Sequence, residues 1–259
     1  MTRIELPGRD LIGIRADNPG PFTLTGTNSW IVARDPAWLV DPGPDLGDHI
    51  EALITELDGR GGLGGIALTH QHADHTGAVP AIRARYPNAR TAAAAYGNAD
   101  VTLDDGARFG PLEAVATPGH APEHFAYIFG DAAFTGDAVL GEGSVFIAPD
   151  PGALDSYLSA LARLKERDLE VLCPGHGPPV FDPRAKLDEY IAHRLDREQR
   201  LIDALTAGKR TTNELLDDAW ADVPPRLRPA ATVTLAAHLD KLADEGRLPA
   251  DVDRPTITL

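Results

Sequence analysis

The chain has 259 residues, of which 43% are hydrophobic and 24% charged, a composition typical of a globular protein and not of a disordered, fibrous or membrane protein. Its first residues lack a basic start followed by a long apolar stretch, so we expect no signal peptide. No run approaches the roughly 18 apolar residues of a membrane helix. Cys173 is the only cysteine, which fits a reducing compartment. These features predict a cytoplasmic protein with no membrane partner.

The formal net charge is −15 at pH 7, and most of the acidic excess lies before Asp182. An acidic protein repels nucleic-acid backbones unless its charges are segregated. Carboxylates that bind metal would reduce this negative field. The charge therefore disfavours a nucleic-acid substrate without excluding one, and we expect no DNA partner.

The first part of the chain alternates short apolar runs with amphipathic stretches. Strands are predicted over residues 27–33, 37–41 and 66–69. Each is bounded by turn residues or runs into a polar motif. The helical spacing of apolar residues predicts helices over 48–57 and 76–86, the first with Asp48 as its cap.

A second strand-rich part follows. Strands separated by Gly, Pro and Asp turns are predicted over 112–117, 126–129, 133–135 and 170–173. One helix is predicted over 156–165, where Tyr157 and several leucines share a helical face. Two successive units of strands followed by helices predict a mixed α/β protein in which two sheets pack together with helices outside.

The pattern changes after Pro183. Helices are predicted over 185–205, over a stretch containing 214–220 that Thr211 or Thr212 caps, and over 230–245. A short β-prone run follows at 257–259. Three helices and a short strand pair predict a small winged-helix-like domain over 183–259, after a catalytic domain over 1–182.

Four residues that can bind metal lie within six positions directly after the predicted strand 66–69. In the sequence THQHADH, His70 and His72 project together if the chain is still extended there, and Asp74 and His75 follow as it turns into a helix. Three more candidates come singly, each after a glycine: His120 in TPGH, Asp137 in FTGD and His176 in PGHG. Any one histidine alone would usually be a surface or core residue, but this ordered set is hard to obtain by chance.

These residue types suit a pair of metal ions. Imidazole suits zinc, and one bridging carboxylate can hold two ions roughly 3.5–4 Å apart. Zinc lowers the pKa of bound water to about 7, so hydroxide is available at neutral pH. The sequence therefore predicts two Zn²⁺ ions, with iron or manganese as alternatives. The predicted reaction is attack of a metal-bridged hydroxide on an acyl or phosphoryl centre.

The motifs THQHADH, TPGH, TGD and PGHG, in this order, resemble the metallo-β-lactamase superfamily over roughly residues 10–180. The resemblance implies an αββα sandwich with the active site at one edge. It implies one ion held by His70, His72 and His120, a second held by Asp74, His75 and His176, and Asp137 as the bridge. It also implies that Asp41, in an apolar-Asp-Pro-Gly turn, orients a ligand histidine. Asp74 is further predicted to orient the nucleophile.

Further segments are similar to one branch of this superfamily. They are GTNSWIVA, GDAVLGEG, HRLDREQRLIDAL and the winged-helix-like end. This branch includes the lactamase-beta-like endoribonuclease of animal mitochondria and many bacterial hydrolases of undefined substrate. The resemblance implies single-stranded RNA as a substrate, whereas the charge favours a small-molecule ester or thioester.

Other members of the superfamily fit less well. Secreted β-lactamases lack the bridging aspartate, flavodiiron proteins carry Glu at the position of His72, and glyoxalase II enzymes have a different C-terminal part. A persulfide dioxygenase with a single iron stays open, because its first motif is very similar. A non-enzyme, namely a nucleic-acid-binding regulator with a structural metal site, is also open, but structural zinc sites usually contain cysteine.

The remaining histidines carry weaker predictions. His124, in HAPEH, either supports a metal ligand, hydrogen-bonds a substrate or is structural. His49, His193 and His238 lie on predicted helices and are interpreted as surface or packing residues. The sequence identifies neither substrate-binding residues nor a general acid. We expect the winged-helix-like domain to form one wall of the cleft or a homodimer contact.

Overall fold

The computed structural model describes residues 1–94 and 99–257. The chain folds into two compact units. The first comprises Met1–Thr117, Glu123–Gly143 and Asp168–Pro183, and the second comprises Pro118–Pro122, Ser144–Arg167 and Arg184–Leu259. Because the two units are interleaved along the chain, the domain boundary between residues 182 and 183 stays a prediction.

The first unit contains a seven-stranded sheet whose strands lie in chain order. They are β1 (Thr2–Glu5), β2 (Leu11–Arg15), β3 (Asn28–Val32), β4 (Ala37–Val40), β5 (Leu63–Ala67), β6 (Arg90–Ala93) and β7 (Val101–Thr102). Neighbours pair antiparallel from β1 to β4 and parallel from β4 to β7. The helices of this part are α1 (Gly47–Gly59), the one-turn α2 (Ala73–Thr76) and α3 (Val79–Arg85).

A five-stranded sheet completes the first unit. Its strands are β8 (Arg108–Phe109), β9 (Leu112–Ala116), β10 (Phe125–Phe129), β11 (Ala132–Gly136) and β12 (Val171–Pro174). Strand β12 lies at one edge, parallel to β11, and the pairs from β8 to β11 are antiparallel.

Strand β3 shows how the layers form. Successive side chains of a strand point to opposite faces. Trp30 and Val32 therefore join the core between the two sheets, together with Phe134 of the second sheet. Ile31 points the other way, into a core that contains Leu53 of α1. The two sheets thus face each other, and helices cover the outer face of the seven-stranded sheet.

The second unit contains most of the helices. They are α4 (Ala153–Lys165), α5 (Pro183–Thr206), α6 (Thr212–Ala219) and α7 (Arg228–Asp244), with a 3₁₀ turn at Pro225–Leu227. Leu201, Leu215, Trp220 and Leu239 belong to its hydrophobic core. Helix α6 begins with a capping box, in which Thr211 and Glu214 satisfy each other's backbone amides.

This architecture confirms the predicted α/β fold class, while several local predictions are wrong. Asp48 is not a cap, since α1 begins after Leu46 and Asp48 lies in its first turn, where a carboxylate still favours the helix dipole. The helix predicted over 76–86 begins at Val79, because the amide of Ala78 donates to Gly43 O, outside the helix.

Other predicted and observed elements also differ. Strands β1, β2, β6, β7 and β8 were not predicted. For the β-prone run at 257–259, residues 258 and 259 lie outside the described residues, and no strand is found between α7 and residue 257. Within the described part of the chain, no helix combines the length and apolarity needed to cross a membrane.

His238 of α7, interpreted as a surface or packing residue, is fully buried. Neither ring nitrogen has a hydrogen-bond partner among the described residues. Burial lowers the pKa of His238 to about 3, and the positive charges of Arg194 and Lys241 also lower it. The imidazole is therefore neutral in the folded protein at any pH near neutrality.

We expect His238 to reduce stability at acidic pH. Above pH 6.5 the imidazole is neutral in both states, whereas below it the unfolded chain binds a proton that the folded protein does not. Between pH 7 and pH 5 the metal-free protein should lose about 2 kcal/mol more of its free energy of unfolding than a His238→Phe variant. Urea unfolding in the presence of a chelator measures this difference. Equal losses in the two proteins would contradict it.

Candidate metal centre

The loop that follows β5 carries four of the predicted ligands. His70 lies three residues beyond the end of β5, His72 immediately precedes α2, and Asp74 and His75 lie in the single turn of α2. Asp137 follows β11 and His176 follows β12, at the ends of two neighbouring strands. Both sheets therefore contribute ligand candidates at their strand ends.

In the first unit, these six residues form two adjacent groups. One ligand atom from each of His70, His72 and Asp137 lies within 4.8 Å of the others, and the same holds for Asp74, His75 and His176. In the first group, His70 Nε2 lies 2.9 Å from His72 Nδ1. In the second, His176 Nε2 lies 3.2 Å from Asp74 Oδ2 and 3.3 Å from His75 Nε2.

Asp137 lies close to both groups. Its Oδ1 is 3.4 Å from the Nε2 atoms of His75 and His176, while one of its oxygens also belongs to the group of His70 and His72. A carboxylate in this position has the geometry of a bridging ligand.

Hydrogen bonds on the far side of each ring aim the Nε2 atoms at this space. His75 Nδ1 lies 2.9 Å from Asp41 Oδ2, and His176 Nδ1 lies 3.4 Å from Gly26 O. Since both partners accept hydrogen bonds, each Nδ1 carries the proton and each Nε2 presents a lone pair. Lone pairs and carboxylate oxygens that converge in this way fit a pair of divalent cations.

A single carboxylate, that of Asp41, supports both groups. Its Oδ1 accepts from Thr69 N at 2.8 Å, and its Oδ2 accepts from Thr69 Oγ1 at 2.7 Å as well as from His75. The Thr69 hydroxyl, having donated to Asp41, accepts from His70 Nδ1 at 2.9 Å. Asp41 therefore orients His75 directly and His70 through Thr69.

His124 lies beneath Asp137 and is not in either group. Its Nε2 accepts from the backbone amide of Asp137 at 3.1 Å, and its Nδ1 lies 2.7 Å from Thr117 Oγ1. The ring stacks on His70 at 5.0 Å and is 1% exposed. His124 thus contacts the backbone of one ligand candidate and the ring of another, and it has no surface on which a substrate could bind.

Close packing explains why a glycine precedes both Asp137 and His176. A Cβ on Gly136, whose φ is 46°, would lie 2.6 Å from Thr69 Oγ1 and 2.8 Å from His124 Nε2. A Cβ on Gly175 would lie 2.6 Å from His75 Cε1. Any side chain at these two positions would therefore collide with the centre.

His49, interpreted as a surface or packing residue, is buried beneath the Asp41 turn. Its Nε2 lies 3.0 Å from Ser29 Oγ and 3.1 Å from Pro42 O. The sequence did contain a signal for this position, because His49, Leu53 and Leu57 form the buried stripe of α1 at four-residue spacing. The link that Thr69 makes between Asp41 and His70 was not predicted from the sequence.

The carboxylates and imidazoles strongly perturb one another. Burial works against a charged His176, but the Asp137 carboxylate outweighs it and raises the pKa of His176 to about 9. In the same way, Asp137 raises the pKa of His75 despite full burial. Burial opposes ionisation of Asp137, yet these two histidines lower its pKa well below the usual value. Protons on the histidines thus balance the carboxylates when no cation does so.

His120 belongs to the second unit. Its Nδ1 lies 3.4 Å from Phe146 O, and the two rings lie 4.6 Å apart. A carbonyl acceptor at Nδ1 leaves the lone pair of the neutral ring on Nε2. The role of His120 as a metal ligand stays a prediction.

The sequence matches two known protein families. Residues 22–99 and 96–176 match the Metallo-beta-lactamase superfamily. Residues 211–252 match the beta-lactamase associated winged helix domain.

The chain belongs to the metallo-beta-lactamase superfamily.

Two curated members of the superfamily are similar over most of the chain. The Beta-lactamase-like protein 2 homolog of Caenorhabditis elegans is 32% identical, over 90% of this chain and 84% of its own. The Atrochrysone carboxyl ACP thioesterase of Aspergillus chevalieri is 32% identical, over 83% of this chain and 74% of its own. A solved structure of a Beta-lactamase domain protein from Burkholderia ambifaria, 21% identical, shares the fold with a TM-score of 0.76, over 95% of this chain and 90% of that one.

Membership confirms the predicted enzyme class. The protein is a metal-dependent hydrolase with a winged-helix domain, so the alternative of a non-enzymatic regulator is set aside. The histidine and aspartate groups fit a dinuclear metal site.

Metal binding should become tighter as the pH rises. Because the pKa of His176 is raised to about 9 in the metal-free protein, a cation must displace a proton at pH 7. We expect the zinc affinity to rise roughly tenfold per pH unit for each proton released, up to about pH 9. Titration calorimetry in two buffers of different ionisation enthalpy counts the protons. Zinc binding without proton release at pH 7 would refute this account.

The substitution Asp41→Asn should weaken binding of both cations. The amide would place an N–H donor opposite the donors of Thr69 and His75. The ring of His75, and through Thr69 the ring of His70, would then lose its orientation. We expect a loss of roughly 10–100-fold in zinc affinity, measured by competition with a chelator. Asp104→Asn, at an exposed carboxylate, is the matched control and should bind zinc as the unmodified protein does. Unchanged affinity in Asp41→Asn would exclude the orienting role.

Proposed function

We propose that this hydrolase uses two zinc ions to cleave an ester or thioester of a small molecule. The observation that carries the proposal is the position of Asp137, whose Oδ1 lies 3.4 Å from both His75 and His176 while the residue also groups with His70 and His72. His120 is proposed as the further ligand of this last group. Imidazole and carboxylate ligands suit zinc, and iron or manganese is the alternative.

The cations would supply two things when bound, a water activated at neutral pH and a charge that polarises the scissile carbonyl. The chain's own residues set the geometry of attack. Asp137 holds its place through its backbone amide, which donates to His124. Asp41 and Gly26 O keep the Nδ1 protons of His75 and His176 directed away from the reacting atoms.

Asp74 is the proposed catalytic carboxylate. Its side chain is 30% exposed, against 11% for Asp137. Burial works against its ionisation, but a hydrogen bond with His176 lowers its pKa, so it is ionised at neutral pH. With Oδ2 fixed at 3.2 Å from His176, Asp74 can accept a hydrogen bond from the attacking water and orient it.

The charges of the first unit favour a small acyl substrate. Its sequence contains no lysine, and most of its arginines pair with carboxylates. These arginines are Arg3, Arg9, Arg34, Arg60, Arg83, Arg85 and Arg108. Few cations are left to neutralise phosphates, which an RNA substrate requires. The thioesterase named among the relatives supports an acyl substrate.

Single-stranded RNA is the second candidate. It is supported by the similarity to the endoribonuclease branch, which includes the winged-helix domain matched at 211–252. The same −15 charge that opposes RNA also opposes an acidic carrier protein, so a free small-molecule substrate is favoured over a carrier-bound one. We further propose a cytoplasmic location, in keeping with the single, buried Cys173, and a homodimer stays a prediction.

Elemental analysis and a substrate panel test the proposal together. The panel pairs thioesters, lactones and a β-lactam with a phosphodiester reporter and single-stranded RNA. Two zinc ions per chain with thioester or lactone turnover is the expected result. RNA cleavage with two zinc ions would select the endoribonuclease instead. One iron per chain with oxygen consumption on a persulfide would select the dioxygenase.

Variants then assign the activity to the centre. Asp137→Ala or His72→Ala should lower kcat/KM by at least about a thousandfold and reduce the bound metal, while the circular dichroism spectrum stays that of a folded chain. Asp104→Ala, at an exposed carboxylate, should retain full turnover. Full activity in either ligand variant would overturn the assignment.

A further inference from the structure

The loop that carries His176 contains glycine on both sides of the ligand. In the sequence PGHG, the φ of Gly177 is +83°, a value that L side chains rarely adopt. Gly175 must be glycine because of its contacts with His75 and Asp137. A histidine between two glycines lies on an adaptable backbone, so something else must fix its position.

Strand β3 of the opposite sheet holds this loop. The amide nitrogen of Asn28 donates to Gly175 O at 2.7 Å. Its side-chain Nδ2 donates to Pro174 O at 3.0 Å and to Gly177 O at 2.8 Å. Trp30 Nε1 also donates to Pro174 O, at 3.1 Å. Carbonyls on both sides of His176 are therefore bonded to one strand.

These bonds act where no solvent competes. Asn28 is 0% and Trp30 2% exposed. Asn28 and Trp30 are two residues apart and therefore lie on the same face of β3. Both side-chain donors thus point toward the loop that carries His176. Because β3 belongs to the seven-stranded sheet and β12 to the other, the contacts also set the spacing of the two sheets at this edge.

The side-chain amide of Asn28 acts here as a donor of two hydrogen bonds. Its Oδ1 is buried and has no hydrogen-bond partner among the described residues, which costs stability. A residue chosen only to pack here would not bury an unused oxygen. The amide satisfies two carbonyls that point toward it, and only an amide or a cation of this size could do so.

We propose that Asn28 and Trp30 are positioning residues that aim His176 at the group of Asp74 and His75. The inference rests on the proposed dinuclear centre and deepens it, because it assigns the geometry of one metal group to a strand that supplies no ligand. The bond from His176 Nδ1 to Gly26 O, at 3.4 Å, fixes the ring's rotation. The Asn28 and Trp30 bonds fix the backbone from which the ring extends.

The test is zinc binding by Asn28→Leu and Trp30→Phe, followed by competition with a chelator. Leucine keeps the number and branching of the side-chain heavy atoms of Asn28 and removes both side-chain donors together with the unused oxygen. Phenylalanine removes the Trp30 donor and leaves those of Asn28 in place. We expect one zinc ion to bind 10–100-fold more weakly in Asn28→Leu and less so in Trp30→Phe, while the other keeps its affinity. Cobalt-substituted protein should show the same selective change in its absorption spectrum.

Ile31→Val supplies the matched control. It lies on the same strand but faces the other core, and it should lose about 1 kcal/mol of stability with both zinc affinities unchanged. Thermal unfolding in a chelator compares the stabilities of all three variants. An equal loss of both ions in Asn28→Leu, or an equal loss in Ile31→Val, would show a general effect of stability and overturn the inference.

The outcomes separate this inference from the proposed function. If the unmodified protein binds fewer than two ions, the dinuclear centre itself is refuted. If it binds two ions and Asn28→Leu binds both with unchanged affinity, only the positioning role is refuted. Should Asn28→Leu fail to fold, Trp30→Phe decides, since it leaves both Asn28 donors in place and removes one bond from the same carbonyl.

Discussion

The buried carboxylate of Asp41 is the interaction on which the centre depends. It is 2% exposed, and hydrogen bonds from Thr69 and His75 replace the water that it loses. Its φ of 49° is a conformation that costs free energy outside glycine. The chain tolerates this backbone conformation because the turn brings one carboxylate into contact with His75 and, through Thr69, with His70.

Around that carboxylate, the fold places ligands at the ends of strands from two sheets. The core between the sheets, which contains Trp30 and Phe134, brings the end of β5 close to the ends of β11 and β12. Parallel pairing of β11 with β12 sets Asp137 and His176 side by side. The packing of the hydrophobic core thus brings together carboxylates and imidazoles whose burial would otherwise be unfavourable.

The candidate ligands were easier to predict from the sequence than the residues that support them. The motifs that contain His70 to His75, Asp137 and His176 combine metal-binding residue types with neighbouring glycines, a pattern that indicates a metal site. Asn28, Ser29 and His49 look like ordinary strand and helix residues, because their partners are backbone carbonyls and side chains far along the chain. Only the three-dimensional fold shows that such residues contact the ligand loops.

The strands that could be predicted from the sequence are those with a long, buried apolar segment. Strands β4 and β10 are mostly buried apolar runs, whereas β1 is largely exposed and β7 and β8 have two residues each. Helix α3 began three residues later than its apolar spacing indicated, because Ala78 bonds to the Asp41 turn. Long-range backbone contacts of this kind leave no periodic trace in a sequence.

Within the second unit, the C-terminal helices hold the loop that contacts the predicted ligand His120. The carbonyl of Phe146, near His120 Nδ1, lies between two residues that the helices hold. Arg194 of α5 donates to Val145 O, and Ile147 N donates to Thr234 Oγ1 of α7 at 3.3 Å. The C-terminal helices therefore fix the loop against which His120 is oriented. If His120 binds metal, those helices help to orient a ligand.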